Sequence, residues 1–447
     1  MKKCATYNML YWVKTHTPAP VLRLYHFILA KLAVFSYGNP SRKLIVIGVT
    51  GTNGKSSTVQ FIAQLLTNLG HKVGYTTTAG FSIAGNEIEN KMKMTMPGRF
   101  YLQQLLRDMV RAGCAYAIVE TSSQGIIQYR HLGVNYDLAV FTNLTPEHIE
   151  AHGGFEAYKR AKGVLFSHLT ARPHKKINGI DIPKVIVANS DDDHAQYYLD
   201  FTADKKVTFG WQEHSSPDYL FARYLERSPT KTVISINGET FVSKLHAGFQ
   251  DKNALSAIAT VYALGVPIKK CVQVAADLKP IAGRFEIIDS GQPFTVVVDY
   301  AYEPYALKAL LSDIRALKPK RIIGVHGSAG GGRDVARRFE IGKMAGKEED
   351  IVVVTNEDPY DEDPNIIIKQ VAEGALAAGK REGHDLFMVD DRMEGIFEAI
   401  SLAEEGDAVI LTGKGSEPVI AVAKGRKLPW SDKEAALLAL KRLGYTK

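Results

Sequence analysis

An unbroken apolar run, Leu44 to Val49, is followed by the polar stretch Thr50 to Ser57 and then by apolar positions at Ile62, Leu65, Leu66 and Leu69. The run predicts a buried strand, and the i, i+3, i+4, i+7 spacing predicts an amphipathic helix that Gly70 is placed to cap. Further strand-like runs at Tyr116–Val119, Leu138–Thr142, Val185–Ala188 and Lys206–Phe209 alternate with helical patterns. That alternation predicts a largely parallel sheet with helices on both faces. Residues 212–244 are more polar and irregular and read as antiparallel strands, with 253–264 as a closing helix. Pro and Gly interrupt the pattern between Lys279 and Arg284, and a second alternating series follows through Phe294–Asp299, Arg321–Val325, Ile351–Thr355 and Ala408–Thr412. Ahead of all this, Val21–Tyr37 carries Leu22, Tyr25, Leu29, Leu32 and Phe35 at helical spacing. Arg23, His26 and Lys31 interrupt it, so it does not read as a membrane span, which needs roughly 20 nearly uncharged residues, but as an amphipathic helix packed on the body of the protein, with membrane contact as the alternative. It lacks the small-residue cleavage site of a signal peptide.

At 447 residues the chain predicts two or three domains, and 45% hydrophobic with 23% charged residues is the composition of a soluble globular protein. The net charge of +7 is spread along the chain without a dense basic block. An anionic small-molecule substrate accounts for it as well as nucleic acid would, and no nucleic-acid partner is expected. Cys4, Cys114 and Cys271 are far apart and without metal spacing, and read as free thiols in a reducing cytosol. The protein is expected to be cytoplasmic, without a membrane span, and monomeric.

The stretch Thr50-Gly51-Thr52-Asn53-Gly54-Lys55-Ser56-Ser57 lies between the strand and the helix, where a phosphate-binding loop belongs. Gly51 and Gly54 allow the tight turn that aims backbone N–H groups at phosphate oxygens, Lys55 reaches the β/γ-phosphates, and the Ser56 hydroxyl holds Mg²⁺. The helix adds the positive end of its dipole. Val49 stands where the general pattern has its first Gly, with Gly48 beside it. The predicted class is therefore α/β: a short amphipathic helical segment over 1–42, a central phosphate-loop NTPase-type domain with a mostly parallel sheet over 43–281, and a Rossmann-like α/β domain over 282–447. Glu120 ends a buried strand downstream of the loop, where a carboxylate orients Mg²⁺ or its water; a solvated turn is the alternative. Phe141 to His148 brings an acid and a histidine to the same sheet edge. Lys162, taken alone, belongs to an ordinary helical stretch with surface lysines.

Together these segments resemble the Mur ligases, ATP-dependent amino-acid-adding enzymes of peptidoglycan precursor synthesis, and most closely the MurE type. The resemblance rests on TGTNGKSS, Glu120 to Gly125, FTNLTPEH, His152-Gly153, Lys162 in YKRAK, Gly283 to Glu286, Asp299-Tyr300-Ala301, Gly332-Arg333-Asp334 with Arg337-Arg338, Gly413 to Glu417, and Trp430-Ser431-Asp432, in family order across residues 43–447. It implies an acid–amino-acid ligase that uses ATP and two Mg²⁺ ions. Lys162 is then the lysine converted to a carbamate, holding a second Mg²⁺ beside Glu120 and His148. The resemblance assigns Arg130 to the substrate carboxylate, Ser122 to the substrate or a phosphate, Asn253 to adenine, and Arg284 and Asp299 to the nucleotide. Arg333, Asp358, Tyr360, Gly413 and Glu417 are assigned to the substrates, a sugar-nucleotide peptide and a free amino acid. A substrate carboxylate would attack the γ-phosphate of ATP, and an amine would capture the acyl phosphate while domain closure excludes water.

Three departures bear on the substrates. Only about forty-two residues precede the first strand, too few for the family's UDP-sugar domain of about a hundred residues. Tyr302 replaces a family histidine, and Tyr360 replaces the arginine that pairs with the distal carboxylate of meso-diaminopimelate. With Asp358, Asp361, Glu362 and Asp363 around it, the Tyr360 loop resembles that of lysine-adding members, with Arg333, Arg337 and Arg338 as other possible receivers of a carboxylate. The expected reaction extends UDP-N-acetylmuramoyl-L-Ala-D-Glu. The alternatives are another acidic acceptor, such as a pseudomurein-like precursor or polyglutamate, or a nucleotide-binding homologue without ligase activity.

Overall fold

A computed structural model describes residues 18–90, 92, 94–146, 152–214, 218–228, 231–332 and 335–447. The chain forms two compact units, one of residues up to Leu245 together with Gln250–Lys279, the other of His246–Phe249 with Pro280–Lys447.

In the first unit the strands are β1 (Ile45–Thr50), β2 (Val73–Thr76), β3 (Gly80–Ile83), β4 (Asn86–Glu89), β5 (Tyr116–Glu120), β6 (Leu138–Phe141), the separate hairpin β7 (Lys175–Ile177) and β8 (Ile180–Ile182), then β9 (Val185–Asn189), β10 (Lys205–Gly210), β11 (Tyr219–Arg227), β12 (Thr232–Ile236) and β13 (Glu239–Ser243). Among the described residues, eleven of them make one sheet in the order β13-β12-β11-β10-β9-β6-β1-β5-β2-β3-β4. The central pairs are parallel, with Val49 opposite Glu120 and Thr50 opposite Phe141. The polar stretch after residue 212 gives the antiparallel β11-β12-β13 end. Because β1, β5 and β6 are covered on both faces, they read as continuous apolar runs. Val46, Val119, Ala139 and Phe141 from them share one core with Leu165 and Phe166.

The N-terminal helix, Ala19–Tyr37, forms where its spacing predicts, but only Leu22 and Leu29 of the expected stripe turn partly inward. Ala30 and Ala33 are buried while Tyr25, Leu32 and Phe35 are exposed. The contact side is close-fitting: a Cβ on Gly133 would come within 2.8 Å of Val34. Small side chains at 30 and 33 suit that approach, with Leu22, Leu29 and Val34 half-buried beside them.

In the second unit, β14 (Glu286–Ile288), β15 (Thr295–Val298), β16 (Ile322–His326), β17 (Ile351–Thr355), β18 (Leu386–Val389) and β19 (Ala408–Leu411) form a sheet in the order β14-β15-β19-β16-β17-β18, parallel except for β14. A hairpin of β20 (Val419–Val422) and β21 (Arg426–Pro429) follows. Arg392 and Asp432 tie helices 392–401 and 432–442 together through a buried bidentate pair, both contacts 2.8 Å.

Candidate active site

The phosphate loop is fixed from below by the segment after β6. Asn53 N–H donates to Asn143 Oδ1 at 2.8 Å, Thr142 Oγ1 donates to the Asn53 carbonyl at 2.8 Å, and Thr52 N–H donates to the Asn143 carbonyl at 2.9 Å. Two glycines make this packing possible. A Cβ on Gly51 would lie 1.9 Å from Thr142 Oγ1, and one on Gly54, at φ 80°, would lie 2.1 Å from Asn253 Oδ1. Asn253, on the helix Gly248–Ala263, is thereby placed against the loop. Gly54 is the N-cap of the helix Lys55–Asn68, whose dipole and first N–H groups favour an anion there. Thr50, Thr52, Ser56 and Ser57 are buried around the turn, and Lys55 Nζ donates to the Thr52 carbonyl at 2.6 Å.

Glu120 reaches the same turn from the tip of β5. Its Oε2 accepts from Ser56 Oγ at 2.7 Å and from Thr78 N–H at 2.8 Å, and its Oε1 accepts from Thr78 Oγ1 at 3.2 Å. Glu120 is buried, not a solvated turn residue. Lys162 is also far from a surface lysine: it is 1% exposed. Its Nζ donates to the Gly51 carbonyl at 2.6 Å and lies 4.2 Å from the centre of the Tyr158 ring. Lys55, Ser56, Glu120 and Lys162 are thus gathered about one turn of backbone. His148 and Glu147 lie outside the described residues.

Ser56, Glu120 and Thr78 supply hard oxygen donors, the kind Mg²⁺ takes. Among the described residues no group of three or more His, Cys, Asp or Glu could hold a metal. Mg²⁺ usually keeps waters and is bound by one or two carboxylates together with substrate phosphates. Ser122 caps the helix Ser123–Ile127 by accepting from Gly125 N–H, and Ser123 Oγ sits 3.1 Å from His152 Nε2. Arg130 donates to Gln128 Oε1 at 2.6 Å and to the Met96 carbonyl. Burial lowers its pKa, and Arg99 lowers it further.

In the second unit, Asp299 accepts from Phe285 N–H at 2.7 Å and Ala301 N–H at 2.8 Å, while Arg284 stacks over the Tyr300 ring at 4.2 Å. Burial raises the Asp299 pKa; Arg284 opposes the shift. Tyr302 packs on Tyr300, ring centres 5.1 Å apart, with Arg337 5.4 Å over its own ring.

The acidic loop is not the free patch expected. Asp358 Oδ1 meets the buried Lys414 at 3.1 Å and accepts from Ala421 N–H at 2.6 Å. Asp361 accepts from Lys424 N–H, and Asp363 caps its own helix. Glu362 pairs with Arg338 at 2.8 Å, so Arg338, buried and also bound to Gln370, has its charge balanced within the fold. Glu417 takes Lys414 at 2.7 Å and the Tyr300 hydroxyl at 2.9 Å. Tyr360, at φ 52°, donates its N–H to Ala421. Arg333 lies outside the described residues. A different acid is left: Glu357, 5% exposed, has Oε2 without a hydrogen-bond partner among the described residues. It lies where a Cβ on Gly413 would come within 2.4 Å of it, and burial, then Asp358, raises its pKa. Neither Glu357 nor Thr78 is singled out by the sequence, because their roles come from contacts made at long sequence separation.

The chain matches the profile described as Mur ligase middle domain over residues 49–261, and that described as Mur ligase, glutamate ligase domain over 283–415. It is 37% identical to a UDP-N-acetylmuramyl-tripeptide synthetase of Roseiflexus sp. (strain RS-1), covering 96% of this chain and 85% of the relative. It is 35% identical to a UDP-N-acetylmuramoyl-L-alanyl-D-glutamate–2,6-diaminopimelate ligase of Geobacillus kaustophilus, covering 93% and 83%. A solved structure of a UDP-N-acetylmuramoyl-L-alanyl-D-glutamate–2,6-diaminopimelate ligase superposes with a TM-score of 0.59 at 27% identity, over 90% of this chain and 79% of that one.

Proposed function

This chain belongs to the Mur ligase family, and from that premise we propose that it joins the free carboxylate of UDP-N-acetylmuramoyl-L-Ala-D-Glu to the amine of an amino acid, with ATP converted to ADP and phosphate. The observation that carries the reading is the convergence of Ser56, Glu120 and Lys162 on the phosphate loop. The carboxylate oxygen attacks the γ-phosphorus and ADP leaves. The amine then attacks the acyl carbon, the C–O bond to phosphate breaks, and an amide remains. Gly51 to Ser57 cradle the phosphates, with Lys55 as their main positioning charge. Asn253 serves the base, Ser122 and Arg130 the acceptor, and Arg284 and Asp299 are the second unit's proposed nucleotide residues.

Mg²⁺ would be held by Ser56 and Glu120 and would neutralise charge on the phosphates. Lys162 is proposed as a carbamate serving a second ion with His148. The fit is chemical: a carbamate nitrogen keeps one hydrogen that could still be donated to the Gly51 carbonyl, and its carboxylate oxygens would supply metal ligands. For the amine, Tyr360 supplies no cation for a second carboxylate, and Glu357 offers a buried oxygen that an ammonium would satisfy. A basic L-amino acid is therefore the proposed substrate, with Gly413, Asp358 and Glu417 framing its site. Phosphate release measured across candidate acceptors and amino acids tests the reading. Release is expected only when both substrates are present, and release without an acceptor, or with polyglutamate alone, would contradict it.

A further inference from the structure

We propose that the outer face of the helix Ala19–Tyr37, together with a cationic cavity at its foot, docks this protein peripherally on an anionic lipid surface. The helix is apolar on its outer face as well as its inner one. Ala30 and Ala33 are buried and Leu22, Leu29 and Val34 half-buried, while Leu24 is 59%, Ile28 47% and Phe35 88% exposed. Val21, Tyr25, Ile28, Leu32 and Phe35 follow one another four and three apart, which sets them in one stripe along the helix. A contiguous apolar surface of this kind marks an interaction site.

Charge decides among possible occupants. The helix carries Arg23 and Lys31 but no carboxylate, and the first acidic side chain in the whole sequence is Glu87. Beside it opens a cavity of about 230 Å³, lined by Lys31, Arg42 and Arg172 and by no acid. An apolar stripe flanked by cations matches an interface of acyl chains and anionic headgroups. A second copy paired along the same stripe would bring like charges together, and a free phosphate in the cavity would leave the stripe uncovered. Among the described residues no helix is long and apolar enough to cross a membrane, so the contact is in the plane of the surface. Asn39 and Arg42 precede β1 and Asn135 precedes β6, which puts the cavity at the sheet edge opposite the phosphate loop. Docking there leaves the loop open.

Flotation of the full chain with vesicles tests this. Binding to vesicles of phosphatidylglycerol and phosphatidylcholine is expected to exceed binding to pure phosphatidylcholine by at least about tenfold at low salt, and to weaken as salt rises. The double variant Ile28→Glu with Phe35→Glu, and separately Lys31→Glu with Arg42→Glu, should each lose most of that binding while phosphate release is unchanged. No binding to the anionic vesicles, or binding indifferent to both variants, would overturn the proposal. So would a dimer in sedimentation that Ile28→Glu with Phe35→Glu dissociates, which would assign the face to a second copy. Binding of inorganic phosphate to the cavity without vesicle binding would also overturn it.

Discussion

Lys162 Nζ lies 2.6 Å from the carbonyl oxygen of Gly51, so a lysine from the middle of a helix is sealed against the phosphate loop. Burial of a lysine is costly unless its charge is answered or changed. If the side chain works as a carbamate, Lys162→Ala should lose nearly all activity. A short-chain carboxylic acid should restore part of it by returning an anion to the site. Full activity in the alanine variant, read as phosphate release, would contradict that role.

Lys55→Ala removes the cation proposed to position the β/γ-phosphates. Turnover is expected to fall well beyond tenfold, a barrier increase of more than about 1.4 kcal/mol. Turnover within that margin of the parent would remove the loop from the reaction.

The strand, loop and helix around Lys55 were legible because each is set by neighbours in sequence. The apolar run, the two glycines and the 3.6-residue stripe act locally. Lys162 has no such local mark; its burial comes from packing against a loop more than a hundred residues earlier, and only the family resemblance pointed to it. The acidic loop misled for the same reason. Counted along the chain it is a negative patch, yet Asp358 and Glu362 are answered by Lys414 and Arg338, which the fold brings from elsewhere. The N-terminal helix shows the opposite limit: spacing fixes that a face exists, but whether the large or the small side chains turn inward depends on what the helix meets. Strands β2, β3 and β4 escaped notice because they are short and, at β4, wholly exposed.

The proposed amine selectivity rests on Tyr360 and Glu357. A bound meso-diaminopimelate would bury its second carboxylate without an arginine at 360, whereas lysine or ornithine would offer an ammonium to Glu357. kcat/KM should favour the basic L-amino acid by at least about tenfold, roughly 1.4 kcal/mol. Tyr360→Arg should narrow the gap, and Glu357→Gln should erode it from the other side. A preference for meso-diaminopimelate would reject this reading and direct attention to Arg337.

Two buried histidines couple stability to pH. His131 and His168 face each other with ring centres 5.0 Å apart, and burial lowers their pKa values to about 3 and about 4 from 6.5. Above 6.5 both are neutral folded or unfolded and cost nothing. Below 6.5 the unfolded chain takes up protons that the folded one refuses, so stability falls as pH drops towards the folded values. The slope is at most about 1.4 kcal/mol per pH unit for each histidine. Urea unfolding at about pH 7.5 and about pH 5 should show a larger loss for the parent than for His168→Gln. Equal losses would mean that this pair does not titrate as described.

Acyl transfer through phosphate leaves a mark on the oxygen atoms. When the acceptor carboxylate attacks the γ-phosphorus, one of its oxygens becomes the bridge, and it departs with phosphorus when the amine displaces it. With the acceptor carboxylate labelled in ¹⁸O, mass spectrometry of the released phosphate should find one labelled oxygen for each amide formed. Unlabelled phosphate accompanying amide formation would mean that no acyl phosphate forms on this acceptor.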